Sequence, residues 1–204
     1  SRVNAIFALG TNGEFHLFAE TEQVRLAQII IDEVAGRVPV IVGVGGNSTE
    51  GVIKLSKQME AIGADALSII TPYFITPTQT EVITHYKKIA EQTSLPIILY
   101  NIPFRTGMNL ETETVSVLQQ VPNIVGIKDS SGDFNKIKEY IDTTRDGDFF
   151  VLAGTDSLIL KTLKAGGVGA IAATANAVPE LVVSIYENWI NGNLEEAQKA
   201  QDKL

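Results

Sequence analysis

The chain has 204 residues, of which 45% are hydrophobic, and carries a formal net charge of −8. This composition supports one domain with a sizeable core and argues against a nucleic-acid or anionic-membrane surface. Cysteine is absent, which excludes disulfides and Cys-bound metals and fits a reducing cytoplasm. No window approaches the ~18–20 unbroken apolar residues of a membrane span.

Seven short apolar runs recur along the chain, with turns and amphipathic stretches between them. Because they are largely non-alternating and β-branched, they predict parallel strands that are covered on both faces. The runs are residues 4–10, 38–46, 64–72, 95–103, 123–130, 149–156 and 167–176. Helical patterns such as 19–35, where Thr21 and Glu22 indicate a helix start, alternate with the strands. This alternation predicts crossover connections and a parallel sheet.

Two parallel-sheet architectures fit this pattern. A doubly wound sheet places ligand chemistry at one switch point, whereas a TIM (β/α)8 barrel collects polar residues from the ends of many strands. Polar residues follow nearly every run here, which favours the barrel. Since only seven runs are present, we expect strands 2 to 8 within residues 1–190, without the first βα unit. Residues 191–204 are expected to begin a C-terminal helical extension.

One lysine interrupts the run "IVGIKDSSGD" at residues 124–133. Lys128 could extend from the strand end to solvent and pair with Asp129. Alternatively, an apolar barrel mouth could desolvate its ammonium and lower the pKa, which would free the amine to attack a ketone and form an imine. Tyr100 ends the preceding strand, so its phenol could move protons beside such a lysine.

Other patterns are less specific. The turn "ALGTNGEF" (8–15) could hold a carboxylate on backbone N–H groups, although glycine turns after strands are common. "GVGGNST" (43–49) lacks the spacing of a dinucleotide fingerprint. His85 lies on a helical pattern and is expected at the surface or in packing. Asp129, Asp133 and Asp156 are expected in turns and helix caps rather than in a carboxylate pair.

Five motifs occur in the order and spacing of a known family: "GTNGEF", "YNIPFRTG", "GIKDSSGD", "AGTD" and "GAIAATAN". From Val3 to about Trp189, the chain resembles the dihydrodipicolinate synthase/N-acetylneuraminate lyase family. The resemblance implies a barrel, usually tetrameric, that condenses or releases pyruvate through a lysine imine and needs neither metal nor cofactor. The implied partners are pyruvate, an aldehyde and further copies of the chain, as a dimer or tetramer.

The resemblance also implies roles for individual residues. Lys128 is similar to the imine lysine, and Tyr100 and Thr11 are similar to the proton relay. Thr11 and the Asn12 backbone would hold the pyruvate carboxylate. Gly154 and Ile171 resemble residues that line the imine, and Arg105 resembles the arginine that holds the carboxylate of the aldehyde.

Two positions depart from the usual synthase pattern. Asn12 replaces the second threonine of "GTTGE", and Phe74 follows Tyr73 where synthases usually have two tyrosines. The second tyrosine is a relay residue donated across a subunit interface, and Phe74 has no hydroxyl to relay a proton.

The resemblance therefore implies a pyruvate-dependent Schiff-base aldolase, in first place a dihydrodipicolinate synthase. A 2-keto-3-deoxy sugar acid aldolase or an N-acetylneuraminate lyase is the alternative within the family. A non-catalytic barrel that binds a small carboxylate is the alternative from another class.

Overall fold

The computed structural model of the protein describes residues 2–204, which form seven strands and nine helices. The strands are β1 (Ile6–Ala8), β2 (Val40–Val44), β3 (Ala66–Ile70), β4 (Ile97–Asn101), β5 (Ile124–Asp129), β6 (Phe150–Ala153) and β7 (Gly169–Ala170). The helices are α1 (Glu20–Val34), α2 (Thr49–Ala61), α3 (Gln79–Ala90), α4 (Pro103–Thr106), α5 (Thr112–Leu118), α6 (Phe134–Thr144), α7 (Ile159–Ala165), α8 (Pro179–Ile190) and α9 (Leu194–Lys203). Within the described residues, no helix has the length and apolarity that a membrane crossing requires.

All seven strands are parallel, and they pair in sequence order from β1 to β7. A doubly wound sheet reverses its strand order at a switch point, whereas a (β/α) barrel keeps the strands in order. The predicted barrel class is confirmed, and each of the seven predicted runs contains one strand. Among residues 2–204, β1 and β7 form the two edges of the sheet.

The two faces of the sheet have different surroundings, because successive side chains of a strand point to opposite faces. On the outer face, Leu67, Ile69, Leu99 and Ile127 are fully buried in the main core. The inner face carries polar side chains near the carboxyl ends of the strands, among them Tyr100 and Lys128, and these side chains line the candidate site.

The first helix lies within the predicted pattern 19–35, but Thr21 does not mark its start. Helix α1 starts at Glu20, so Thr21 is its second residue and does not cap it. Glu22 has the predicted capping function, since its carboxylate accepts a hydrogen bond of 2.8 Å from the backbone N–H of Ala19.

The last helix packs on the preceding ones. Ala197 and Ala200 of α9 are buried against a cluster that includes Leu160, Leu163 and Ile185. The division into residues 1–190 and 191–204 stays a prediction.

His85 is a packing residue between two helices. It lies in α3 with 6% of its surface exposed, and its Nδ1 is 2.9 Å from the Thr49 hydroxyl at the start of α2. Because burial disfavours the imidazolium, the pKa of His85 falls from 6.5 to about 4.

This buried histidine makes stability depend on pH. Between about pH 6.5 and 4 the unfolded chain binds a proton that the folded chain excludes, so acidification through that window destabilises the fold. From about pH 7 to about pH 4.5, the expected loss of unfolding free energy from this residue is about 2 kcal/mol.

Urea unfolding of the His85→Gln variant at both pH values measures this effect, because the amide keeps a partner for Thr49 but does not titrate. The exposed His16, replaced in the same way, is the matched control. An unchanged pH dependence in His85→Gln would contradict the prediction.

Candidate functional site

The adjacent ends of β4 and β5 place Tyr100 beside Lys128. The strands pair Ile97 with Ile124, and the register then shifts at Ile97/Ile98, so Tyr100 pairs with Lys128. Without this one-residue shift, Tyr100 would lie opposite Ile127, because a slip of one residue exchanges the two faces of a strand. The irregularity therefore puts the phenol and the amine on the same inner face.

Lys128 is enclosed by aromatic side chains rather than by water. It is 6% exposed, and its Nζ lies 4.0 Å from the ring centroid of Tyr100 and 5.0 Å from that of Phe7. Burial lowers the pKa of Lys128, although Tyr100 and Asp156 act in the opposite direction. The alternative of a solvent-exposed lysine paired with Asp129 does not match this geometry.

Tyr100 connects the lysine to the glycine turn that follows β1. Its phenol oxygen is 3.1 Å from the hydroxyl of Thr11, which begins the 3₁₀ turn Thr11–Gly13. Tyr100 is only 4% exposed and Thr11 is half-buried, so water has little access to this hydroxyl pair. Thr11, Tyr100 and Lys128 therefore lie next to one another, and their catalytic roles stay predictions.

The turn also presents backbone donors. Its internal hydrogen bonds use the N–H groups of Gly13 and Glu14, which donate to Gly10 and Thr11. Among the described residues, nothing accepts from the N–H groups of Thr11 and Asn12. The Asn12 side chain is exposed, so its predicted contribution remains that of its backbone.

Gly154 and Ile171 extend the ladder past the ends of β6 and β7. The N–H of Gly154 donates to the carbonyl of Asp129 at 2.7 Å, and that of Ile171 donates to Ala153 at 2.9 Å. A Cβ on Gly154 would lie 2.7 Å from Cε of Lys128. Gly154 therefore lies against the lysine. Ile171 follows β7, which is two strands away from β5, the strand of Lys128.

Arg105 stands apart from this group. It lies in α4, is exposed, and its guanidinium carbon is 5.3 Å from the ring centroid of Phe104. No acidic side chain among residues 2–204 forms an ion pair with it. A free guanidinium after β4 can bind a carboxylate, but the structure gives no contact between Arg105 and Lys128.

Two parts of the site were missed in the sequence. Phe7 was assigned to a strand only, although an aromatic residue three positions before the glycine turn was an available signal. Asn101 and Asp129, behind the site, form a buried hydrogen bond of 2.7 Å between β4 and β5. Sequence spacing gives no sign of that pair, since it depends on the register of the two strands.

The site is therefore a desolvated amine beside a phenol, with a second hydroxyl and free backbone donors within reach. A cavity of about 10 Å³ borders Phe7, Thr11, Ser68 and Tyr100. The desolvation of the amine itself follows from the burial of Lys128, which is 6% exposed. Such an arrangement can form an imine with a keto acid and move protons around it.

Comparisons with known proteins agree on one family. The family model described as "Dihydrodipicolinate synthetase family" matches residues 1–204. The 4-hydroxy-tetrahydrodipicolinate synthase of Methanopyrus kandleri is 44% identical over 203 residues, which cover 99% of this chain and 67% of that enzyme. The chain thus spans about two thirds of the length of this relative.

Solved structures agree with the sequence match. Dihydrodipicolinate synthase from Thermotoga maritima has a TM-score of 0.96 and 40% identity, with 99% of this chain and 70% of that chain covered. YagE of E. coli K12, described as a prophage protein of the dihydrodipicolinic acid synthase family and solved with pyruvate, has a TM-score of 0.95 and 33% identity. That match covers 98% of this chain and 68% of YagE. The chain belongs to the dihydrodipicolinate synthetase family.

Proposed function

We propose that the protein is a pyruvate-dependent Schiff-base aldolase, best described as a 4-hydroxy-tetrahydrodipicolinate synthase. The observation that carries the proposal is the buried amine of Lys128, 4.0 Å from the ring centroid of Tyr100, whose hydroxyl is 3.1 Å from that of Thr11. The names of the relatives and the pyruvate bound to YagE support it.

In the proposed reaction the neutral amine of Lys128 attacks the keto carbon of pyruvate. Tyr100 delivers a proton to the departing hydroxyl, water leaves, and a protonated imine remains. Loss of a proton from the methyl carbon gives an enamine, which attacks the aldehyde. Because the imine is the electron sink, the proposal requires neither a metal nor a cofactor.

The carboxylate of pyruvate is assigned to the turn after β1. The N–H groups of Thr11 and Asn12 have no acceptor among the described residues, and Thr11 also contacts Tyr100. Backbone donors in such turns suit a carboxylate. Gly154 and Ile171 are assigned to the wall around the imine.

A trapping experiment tests the chemistry. The protein is incubated with pyruvate, reduced with borohydride and digested, and the peptide of Lys128 is expected to carry the mass of one reduced pyruvate. Pyruvate binding without any adduct would favour the non-catalytic carboxylate-binding barrel. An adduct on another lysine would refute the assignment of Lys128.

The accepting aldehyde is proposed to carry a carboxylate, as aspartate semialdehyde does. Arg105 supports this choice, since its guanidinium has no acidic partner among residues 2–204 and fits a carboxylate in a bidentate manner. The sugar-acid aldolases are the second candidate, because Phe74 is 90% exposed and offers no hydroxyl to a relay. Pyruvate consumption with aspartate semialdehyde, compared with pyruvate release from 2-keto-3-deoxy sugar acids and N-acetylneuraminate, distinguishes the two.

We also propose that the protein forms a homodimer or a homotetramer. Three large apolar side chains in the segments after β3 and β4 are exposed: Phe74 by 90%, Ile75 by 77% and Phe104 by 86%. Phe74 and Ile75 are adjacent in the chain, and contiguous exposed apolar surface is typical of interaction sites. One solved relative is described as a monomeric synthase variant, so sedimentation velocity is the appropriate measurement.

A further inference from the structure

We infer that Asn101 and Asp129 form a positioning pair that holds Tyr100 and Lys128 in register for imine formation. The inference rests on the proposed function and adds two residues to it that do not touch the substrate. Each member of the pair directly follows one of the two reactive residues, Asn101 after Tyr100 and Asp129 after Lys128. Since alternate residues face opposite sides, the pair lies behind the sheet from the mouth.

Hydrogen bonds join the pair across the two strands. The side-chain amide of Asn101 donates to Asp129 Oδ2 at 2.7 Å. The other carboxylate oxygen, Oδ1, accepts from the backbone N–H of Ser131 at 3.0 Å and from its hydroxyl at 2.6 Å. In the backbone, the N–H of Ser130 donates to the carbonyl of Asn101 at 2.8 Å. The ends of β4 and β5 are thus joined through side chains as well as through the ladder.

The pair is also fixed to the layer behind the sheet. The backbone N–H of Leu110 donates to Asn101 Oδ1 at 3.0 Å, and the amide nitrogen of Asn101 donates to Asn109 Oδ1 at 2.7 Å. The hydroxyl of the fully buried Tyr140 donates to the carbonyl of Leu110. Both polar atoms of the Asn101 side chain are therefore hydrogen-bonded, and rotation of the amide would break several hydrogen bonds at once.

Asp129 is an unfavourable choice for stability alone. The residue is fully buried, and among residues 2–204 no cation forms an ion pair with it. Burial raises the pKa of Asp129, while the bonds from Ser131 and Asn101 lower it. An apolar pair of similar volume is commonly as stable or more so, whereas a hydrogen-bonded pair fixes geometry.

The position of the pair matches the irregularity that aligns the site. The register between β4 and β5 shifts at Ile97/Ile98, and Asn101 and Asp129 are the last residues paired after the shift. A return to the unshifted register would separate their side chains and also move Tyr100 opposite Ile127. The same hydrogen bond therefore stabilises the only one of these two registers that places Tyr100 beside Lys128.

Two single substitutions and their combination test the inference. In Asp129→Asn, an amide nitrogen must face either the amide of Asn101 or the N–H of Ser131, so two donors oppose each other. In Asn101→Asp, two carboxylates come into contact. The double variant carries both substitutions, so the amide and the carboxylate exchange strands. The new amide on β5 then donates to the new carboxylate on β4 and accepts from Ser131, and rotation of the Asn109 amide restores its bond to β4.

The readout is the rate of borohydride-trapped adduct formation with pyruvate. At saturating pyruvate, each single variant is expected to form adduct about 10- to 100-fold more slowly, because displacement by up to about an ångström can cost that much in rate. The pyruvate concentration at half-saturation is expected to stay within about threefold, since the carboxylate turn after β1 is untouched. The reciprocal exchange is expected to recover most of the rate.

Tyr86→Phe is the matched control for stability. The fully buried Tyr86 donates its hydroxyl hydrogen bond to the carbonyl of Ile69 at 2.9 Å, on β3, which is two strands from the strand of Lys128. Its loss is expected to lower the unfolding free energy by about 1 kcal/mol while leaving the trapping rate unchanged. If the single variants do not fold, Ser131→Ala removes one bond to Asp129 and is expected to slow trapping about threefold.

The outcomes separate this inference from the proposed function. Absence of any adduct in the unsubstituted protein would overturn the proposed function. Normal trapping in that protein together with unchanged rates in Asp129→Asn and Asn101→Asp, or in Ser131→Ala where those do not fold, would overturn the positioning pair alone. A double variant that folds but traps the adduct as slowly as the single variants would also overturn the positioning pair. Restoring the hydrogen bond between β4 and β5 would then not have restored the trapping rate.

Discussion

Replacement of Lys128 by methionine is expected to abolish the pyruvate adduct, lower kcat about 10³-fold or more, and stabilise the fold. The loss of activity follows because methionine has no amine, and removal of a covalent nucleophile has among the largest effects known on an enzyme. The gain in stability follows because burial lowers the pKa of Lys128, which means that the folded state disfavours the ammonium. Methionine fills the same volume and makes favourable contacts with aromatic rings such as those of Phe7 and Tyr100.

The unfolding free energy gained by Lys128→Met should become smaller as pH rises. Below the folded-state pKa, the unsubstituted protein bears the full cost of burying the ammonium. As pH rises from there towards 10.5, the ordinary pKa, the unfolded chain holds a proton that the folded chain has released, so the unsubstituted protein gains stability. Urea unfolding should therefore show that the difference in unfolding free energy between Lys128→Met and the unsubstituted protein decreases as pH rises towards 10.5.

Lys161→Met is the control for this experiment. Lys161 is exposed on α7, and its Nζ also lies 4.0 Å from the centroid of an aromatic ring, that of Phe134. It should lose no activity and gain no stability, because water solvates its ammonium in both states. An undiminished adduct in Lys128→Met would contradict the central assignment, and a marked loss of stability would contradict the account of the desolvated ammonium.

The strands of the fold could be predicted because the physics that creates them is local. A parallel strand buried on both faces must be apolar at nearly every position, so each of the seven runs identified a strand. Lys128 was informative for the same reason, since it is the exception in such a run. Thr21 was a misleading start signal for α1, because Glu22 caps the backbone of Ala19 and the Ala19 side chain gives no capping signal.

The partners across the strands could not be predicted, because they depend on register. Tyr100 and Lys128 were expected to share a mouth. The structure places them side by side only because the register skips Val125 of β5 between the pairs Ile97–Ile124 and Ile98–Gly126. Nothing in the composition of β5 indicates that irregularity. The bond between Asn101 and Asp129, and the approach of Phe7 to the lysine, follow from the same register and from the packing of β1.

The second large effect is expected for Gly154→Ala, which should slow adduct formation about 100-fold. The added Cβ would overlap the hydroxyl of Ser130 and lie 2.7 Å from Lys128 Cε and 2.9 Å from the carbonyl oxygen of Asp129. The carbonyl belongs to the ladder and cannot move freely, so the lysine side chain must be displaced from Tyr100. A displacement near an ångström costs about 10²-fold in rate, and overpacking costs about 1–3 kcal/mol of stability.

Two further variants distinguish displacement of the lysine from a general loss of stability. Gly51→Ala introduces a Cβ no closer than 3.6 Å to Ser48 within α2, so it should keep full activity and gain up to about 1 kcal/mol from helix propensity. Adding Ser130→Ala to Gly154→Ala removes the nearest obstacle but leaves Lys128 and the carbonyl of Asp129 in place. Partial recovery of the trapping rate is therefore expected, whereas complete recovery would mean that the hydroxyl alone was the obstacle. Full activity in Gly154→Ala itself would show that the lysine can react without the narrow space that this glycine leaves for it.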